Sequence, residues 1–244
     1  MSLADKLTTI AENQPKVYKA GIEKMWDCAL GNGERENFYY GFRGWSLSND
    51  LLKVRRDVTP VGDARYMFYK VKNIGTEPIN LKTIEEQSGI KFDFSKVTTF
   101  ASMFVDAEIE VLNVVDLSSA NENGSALYNM FSSGTLKRIE KLIVSEDTEK
   151  FYSSFYSAKS LTHCIFEGVI NKSGLAIYNY VKLDKESVTS IINVLSDETS
   201  GLSVSIHGSV IDKAFETSEG ANDGRNSDEW LSLIATKPNW TISL

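Results

Sequence analysis

The chain has 244 residues and a formal net charge of −7, a balance that argues against a nucleic-acid-binding surface, which normally needs a basic field. Its 42% hydrophobic and 24% charged residues exclude an intrinsically disordered polymer. No apolar run approaches the roughly 18 residues of a membrane-spanning helix.

In chain order, helical spacing comes first. Leu3, Leu7 and Ile10, then Val17, Gly21, Met25 and Cys28, recur three and four apart and form a narrow seam. Pro15 interrupts it, so two helices and one kinked helix both stay open, as do packing on the first repeat and self-association. Gly31-Asn32-Gly33 ends the segment. Phe38, Tyr39, Tyr40, Phe42 and Trp45 follow, a ring cluster expected to cap the next part of the chain, with a binding platform as the other reading. Lys53-Val54-Arg55-Arg56 is the one compact basic cluster and reads as a solvated turn.

From about residue 64 to 170 the chain repeats itself. Four runs end in an aromatic residue: Ala64-Arg65-Tyr66-Met67-Phe68, Phe100-Ala101-Ser102-Met103-Phe104, Leu127-Tyr128-Asn129-Met130-Phe131 and Phe151-Tyr152-Ser153-Ser154-Phe155. A ladder of aliphatics follows in the middle two, first Ile109, Leu112, Val115 and Leu117, then Leu136, Ile139, Leu142 and Val144. The last three closing phenylalanines lie 27 and 24 residues apart. That period, with an L-x-x-L-x-x-L-x-L ladder, predicts a leucine-rich-repeat solenoid in which no unit buries enough surface to fold alone. Serine pairs such as Ser118-Ser119, Ser132-Ser133 and Ser153-Ser154 fill the corners. The first copy is stretched by a helical insertion at residues 81–89. The fourth ladder is compressed to Leu161, Cys164 and Phe166, which makes Cys164 a small buried hydrophobe.

After Gly174 the pattern changes. Asp184 or Ser187 should start a helix carrying Val188, Ile191, Ile192 and Leu195, with Gly201 beyond its end. Residues 202–206 alternate as a strand, Ser227 caps a second helix over 228–235, and Trp240 to Leu244 close as a strand. The expected organisation is an N-terminal helix and aromatic cap over 1–62 and repeat coils over 63–170. A C-terminal helix-strand cap over 171–244 would continue the stack. The expected class is α/β: a short solenoid of stacked parallel strands with a helical arm in front.

The segment Asp93-Phe94-Ser95-Lys96-Val97-Thr98-Thr99-Phe100-Ala101-Ser102-Met103-Phe104 resembles the D-x-S-x-V-T-x-x-x-x-M-F form of BspA-like leucine-rich repeats. Over essentially its full length the chain is similar to short leucine-rich-repeat proteins encoded in phages and prophages of gut Firmicutes. The similarity includes their N-terminal helix, the Ser190-Ile191-Ile192-Asn193-Val194-Leu195 element, and the closing segment from Glu229-Trp230-Leu231 to Trp240-Thr241-Ile242. The resemblance implies a tail-associated or accessory binding protein, or a surface adhesin, with no catalytic residues to carry over. Pro15 breaks a helix that is usually continuous in that family. Met1-Ser2-Leu3-Ala4-Asp5-Lys6 has none of the features of a signal peptide, so the expectation is a protein cytoplasmic as translated or incorporated in a phage particle.

Motifs for chemistry are missing. The sequence has no G-x-S-x-G, Walker loop, G-x-G-x-x-G, C-x-x-C or H-E-x-x-H. His163 and Cys164 are strand neighbours expected to point to opposite faces, and His207 is expected in an exposed turn. Ser119-x-Asn121-x-Asn123-Gly124 begins like a calcium loop, but Met130 stands where the twelfth-position glutamate belongs. Carboxylate pairs such as Glu85-Glu86 and Glu108 with Glu110 read as solubilising charge. No catalytic residue, metal site or cofactor is therefore expected, and the chain is read as a non-enzyme.

The outward residues between the rungs form the candidate binding face: Glu108, Glu110, Asn113, Asp116, Lys137, Arg138, Glu140, Lys141 and Ser145. Their mixed signs suit a protein or glycan ligand rather than nucleic acid. The alternative is an assembly component that forms a homo-oligomer through residues 3–30.

Overall fold

The computed structural model describes residues 34–37, 41–52, 57–120, 126–146, 148, 151, 153–217 and 223–244. The helical seam of residues 3–30, Tyr39 and Tyr40, the basic cluster 53–56 and most of the calcium-loop echo lie outside these residues.

The repeat appears most directly in its turns. Around each Met-Phe pair or its equivalent, the backbone takes left-handed conformations at non-glycine residues: Tyr66 and Lys70, Ser102 and Asp106, Asn129, and Ser153 and Ser157, all with φ between 52° and 62°. Short polar side chains tolerate that region because they hydrogen-bond locally; Tyr66 and Lys70 take it at a steric cost of about 1–2 kcal/mol each. The turns hold one another. The N–H groups of Phe42, Phe68 and Phe104 donate to the carbonyls of Met67, Met103 and Met130 at 2.6, 2.9 and 3.0 Å, and Phe131 donates to Ser154 at 2.8 Å. Their rings form a column. Successive centroids from Phe42 through Phe68, Phe104 and Phe131 to Phe155 are 5.2, 5.4, 5.9 and 5.3 Å apart.

Beside this column, β5 (Ile79–Asn80), β7 (Ile109–Asp116), β8 (Arg138–Val144) and β9 (His163–Gly168) form a four-stranded parallel sheet. Rungs face rungs within it, with Leu112 opposite Ile139 and Ile139 opposite Cys164. These side chains are at most 1% exposed and belong to the one core cluster that runs along the described chain. On the remaining flanks, β1 (Glu34–Asn37), β3 (Thr59–Asp63) and β6 (Val97–Thr99) make a second parallel sheet, and β2 (Ser46–Leu47) pairs with β4 (Lys72–Asn73). The C-terminal strands β10 (Ala176–Ile177), β11 (Leu202–Ile206) and β12 (Trp240–Ser243) make a fourth, three-stranded parallel sheet of their own.

The expected leucine-rich-repeat solenoid, with one stack of strands continued by its C-terminal cap, is corrected by this topology. Among the described residues the strands divide into four separate short parallel sheets, with four helices of seven residues or more: a mixed α/β fold. Beyond β9 the neighbour is a helix rather than another strand, and β10–β12 pair among themselves. Register shifts between Gly62 and Asp63, between Ile79 and Asn80, and between Ile139 and Leu142 add irregularity inside the sheets.

The helices after a one-turn α1 (Asn49–Leu52) are set by their ends. α2 (Leu81–Ser88) begins where the Asn80 side chain accepts the Thr83 N–H, and it stops at Gly89, which sits at φ 73° and closes the C-cap by donating to Glu85. α3 (Lys185–Asn193) is capped by Asp184, whose carboxylate accepts the Ser187 N–H at 2.9 Å. α4 (Gly208–Ala214) is a helix that the hydrophobic spacing did not announce; His207 caps it, its imidazole accepting the Ser209 N–H. α5 (Asp228–Ala235) is capped by Ser227 and buries Trp230. No helix among the described residues is long and apolar enough to cross a membrane.

Candidate functional site

The four-stranded sheet brings six of the nine candidate residues onto neighbouring strands, with Glu108 and Lys137 just before β7 and β8 and Ser145 just after β8. Parallel pairing sets Arg138 beside Val111, Lys141 beside Val114 and Ile143 beside Asp116. Eight of the nine are half-buried; Lys137 is exposed. The rungs beneath fix the backbone, and the side chains above fix each other. Lys137 pairs with Glu110, Arg138 with Glu140 at 3.2 Å, and Lys141 with Glu167 at 2.5 Å. Glu108 bonds Lys72 at 2.9 Å and the Asn73 N–H at 2.7 Å.

Those contacts move the titrations in the expected sense. The Lys72 hydrogen bond holds Glu108 below the usual carboxylate range, with the Asn73 N–H adding to it, and Glu108 in turn raises the Lys72 ammonium. Arg138 lowers Glu140, helped by Lys82 against a partial burial that opposes it. Such exposed pairs contribute little to stability, because solvent and salt screen them. Their larger effect is to immobilise side chains that would otherwise have to be ordered by a ligand.

The other three are held by hydrogen bonds instead of ion pairs. Asp116 accepts the Ser118 N–H at 2.8 Å, which shapes the strand exit. The Ser145 N–H donates to Thr148, and the Ser145 hydroxyl lies 3.4 Å from the Ser118 carbonyl. Asn113 donates to Glu85 of α2. That bond changes the reading of Glu85 as surface charge: its other carboxylate oxygen accepts the Phe92 N–H at 2.8 Å. α2 is thus a wall of the face, contributing Lys82 to Glu140 at 3.3 Å as well. Sequence spacing showed α2 as an insertion but gave no signal of what it would lie against.

Clefts border the strip. One of about 460 Å³ lies between the loop Gly75-Thr76-Glu77-Pro78, α2 and Glu110. Another of about 560 Å³ lies on the far side of α2, where Asn113, Val114 and Asp116 meet Glu86, Lys91 and Asp93. Burial works to raise Asp93, but the Ser95 hydroxyl and N–H outweigh it and leave its carboxyl low. A smaller cleft of about 430 Å³ joins Glu108 to Lys70, Lys72, Asp106 and the 133–135 turn.

One constellation has the residue types of a hydrolase. His163 Nδ1 is 2.7 Å from Asp184, and Asp184 accepts the Ser187 hydroxyl at 2.6 Å. The wiring is wrong for a nucleophile. Ser187 Oγ gives its proton to the carboxylate rather than to the imidazole, accepts the Cys164 N–H at 2.9 Å, and is 0% exposed. Burial pushes the Cys164 thiol far up, which suppresses the thiolate. His163 points to Asp184 while Cys164 enters the core. No group of three or more potential metal ligands occurs among the described residues.

No protein-family model matches this chain, and neither a curated protein nor a solved structure does.

Proposed function

We propose that this chain is a non-catalytic recognition protein whose binding face is the solvent side of β7 and β8 with the α2 wall beside it. The observation that carries the reading is the pre-organised strip: nine polar side chains held over a buried parallel sheet, tied by ion pairs and hydrogen bonds, and bordered by clefts at Glu108, Glu110 and Asn113. Binding to such a surface loses little side-chain entropy, because the ordering is done before the ligand arrives. Mixed charge favours a protein or glycan epitope over a polyanion. The His163–Asp184–Ser187 wiring supports a structural rather than a catalytic use of its residue types. The likeness of residues 93–104 to a repeat form found in surface and phage-encoded proteins supports a role in contact with a host or within a phage particle.

Charge reversal along the strip tests the reading. In surface-plasmon measurements against immobilised candidate host-surface proteins and wall glycans, wild type should bind one class. The combined K137E, E140K and K141E exchange should weaken that binding by about tenfold or more. Unaltered binding by a folded variant would place the interface elsewhere.

A further inference from the structure

We infer that the cleft between the 75–78 loop and α2 is a saccharide subsite for a neutral oligosaccharide. This rests on the recognition reading and names a ligand class for one border of that face. The lining is chemically selective. Thr76, Asn80, Thr83 and Gln87 bring hydroxyl and amide groups, and Glu77 brings a carboxylate; Glu110 brings a second one that is already paired with Lys137, and neither a lysine nor an arginine lines the cleft itself among the described residues. A lining with acceptors and no unpaired cation disfavours phosphates, nucleotides and acidic sugars, and it suits a ligand rich in hydroxyl donors. The side chains of Thr76, Thr83 and Gln87 have no hydrogen-bond partner among the described residues, so their polar groups are available. The exposed Pro78 supplies apolar surface beside them. A volume of about 460 Å³ lies within the range of small-ligand sites.

The loop is also held rigid before any ligand arrives. Asn73 donates to the carbonyls of Gly75 and Glu77 at 3.4 and 3.0 Å and accepts the Gly75 N–H at 2.9 Å. Asn49 bridges from the other side, donating to the Pro78 carbonyl at 2.9 Å and accepting the Asn80 N–H at 3.0 Å. Two asparagines thus spend their own hydrogen bonds on shaping the wall, while the three residues named above face the opening. Division of a cleft into shaping and contacting polar groups is what pre-organised small-ligand sites require.

Saturation-transfer NMR on the full chain with maltotriose, cellotriose and chitotriose, each at millimolar concentration, tests the subsite. At least one trisaccharide should bind. The T76V/Q87A variant, altered only at exposed side chains, should keep the wild-type melting temperature and lose the saturation transfer or weaken about tenfold. The K213E exchange, at an exposed position of α4 outside the strip, should leave the sugar signal unchanged. Failure of all three sugars to bind, or equal binding by T76V/Q87A, overturns the subsite. If partner binding still falls on strip reversal in that case, the recognition role stands without the saccharide; if the sugar binds as expected while strip reversal changes no partner, the subsite stands and the strip does not.

Discussion

The two edges of β9 are held by different chemistry. On one side β8 supplies a parallel backbone ladder from Arg138 opposite His163 to Val144 opposite Gly168. On the other side α3 supplies serine hydroxyls: Ser187 accepts the Cys164 N–H at 2.9 Å, and Ser190 accepts the Phe166 N–H at 3.0 Å. An unpaired strand edge is a template for unwanted pairing, and a helix laid across it removes the hazard. The comparison teaches that the strand stack ends by substitution of one hydrogen-bond partner for another, with Ser187 and Ser190 one helical turn apart to match the strand's alternate N–H groups.

The largest expected effect breaks the ladder side. Gly168 has φ 108°, and a Cβ there would lie 2.1 Å from the Val144 carbonyl oxygen. G168A should therefore destabilise the chain by about 3 kcal/mol or more in urea titrations, since both strain and a backbone clash act together. On the ring column, F131A removes a 0%-exposed side chain between Phe104 and Phe155 and should cost about 3–5 kcal/mol in the same assay. On the helix side the losses should be smaller and graded. S187A leaves the buried Cys164 N–H without its partner and removes one of two donors to an Asp184 oxygen, which keeps the residue 187 N–H, at about 1–3 kcal/mol; S190A, at a half-buried position, should cost about 1 kcal/mol. If S190A proves the worse of the two, the edge is not held as described.

A pH titration sharpens the same contrast. Burial works to raise Asp184, but Ser187 and His163 outweigh it, so its folded value is depressed. Its stabilising contribution is complete above the unfolded value of about 3.9 and is lost as pH falls through the lower folded value. D184N should therefore flatten the stability profile at acidic pH, read from melting temperatures between pH 5 and 2 at constant salt. The smallest effect belongs to the strip: K141A should change stability by no more than about 0.5 kcal/mol, because its partner Glu167 is exposed.

Much of this was written in the residues. The rungs Leu112, Ile139 and Cys164 face each other because a fixed spacing of aliphatics requires a fixed register, and the Met-Phe runs mark the stacked turns. The cap at Ser227 was legible, and Asp184 was one of two candidates with Ser187, because a capping side chain acts on N–H groups within its own turn. Sheet continuity was not. It depends on which element lies beyond β9, and that is settled by long-range packing rather than by local pattern. α4 escaped notice because it is only seven residues long, so the pairs Val210-Ile211 and Ala214-Phe215 give just one repeat of helical spacing. The strip residues were identifiable as outward-facing, yet their ion pairs with Lys72, Lys82 and Glu167 join segments 26 to 58 residues apart, beyond the reach of any local spacing rule.

The burial of Cys164 gives the chain a built-in clock for its own opening. A thiol held at 0% exposure and kept protonated by its apolar surroundings cannot meet an alkylating reagent while β9 stays between β8 and α3. In a C28S background, the rate at which iodoacetamide reaches that sulfur reports how often α3 lifts from the sheet, without any label having to be introduced.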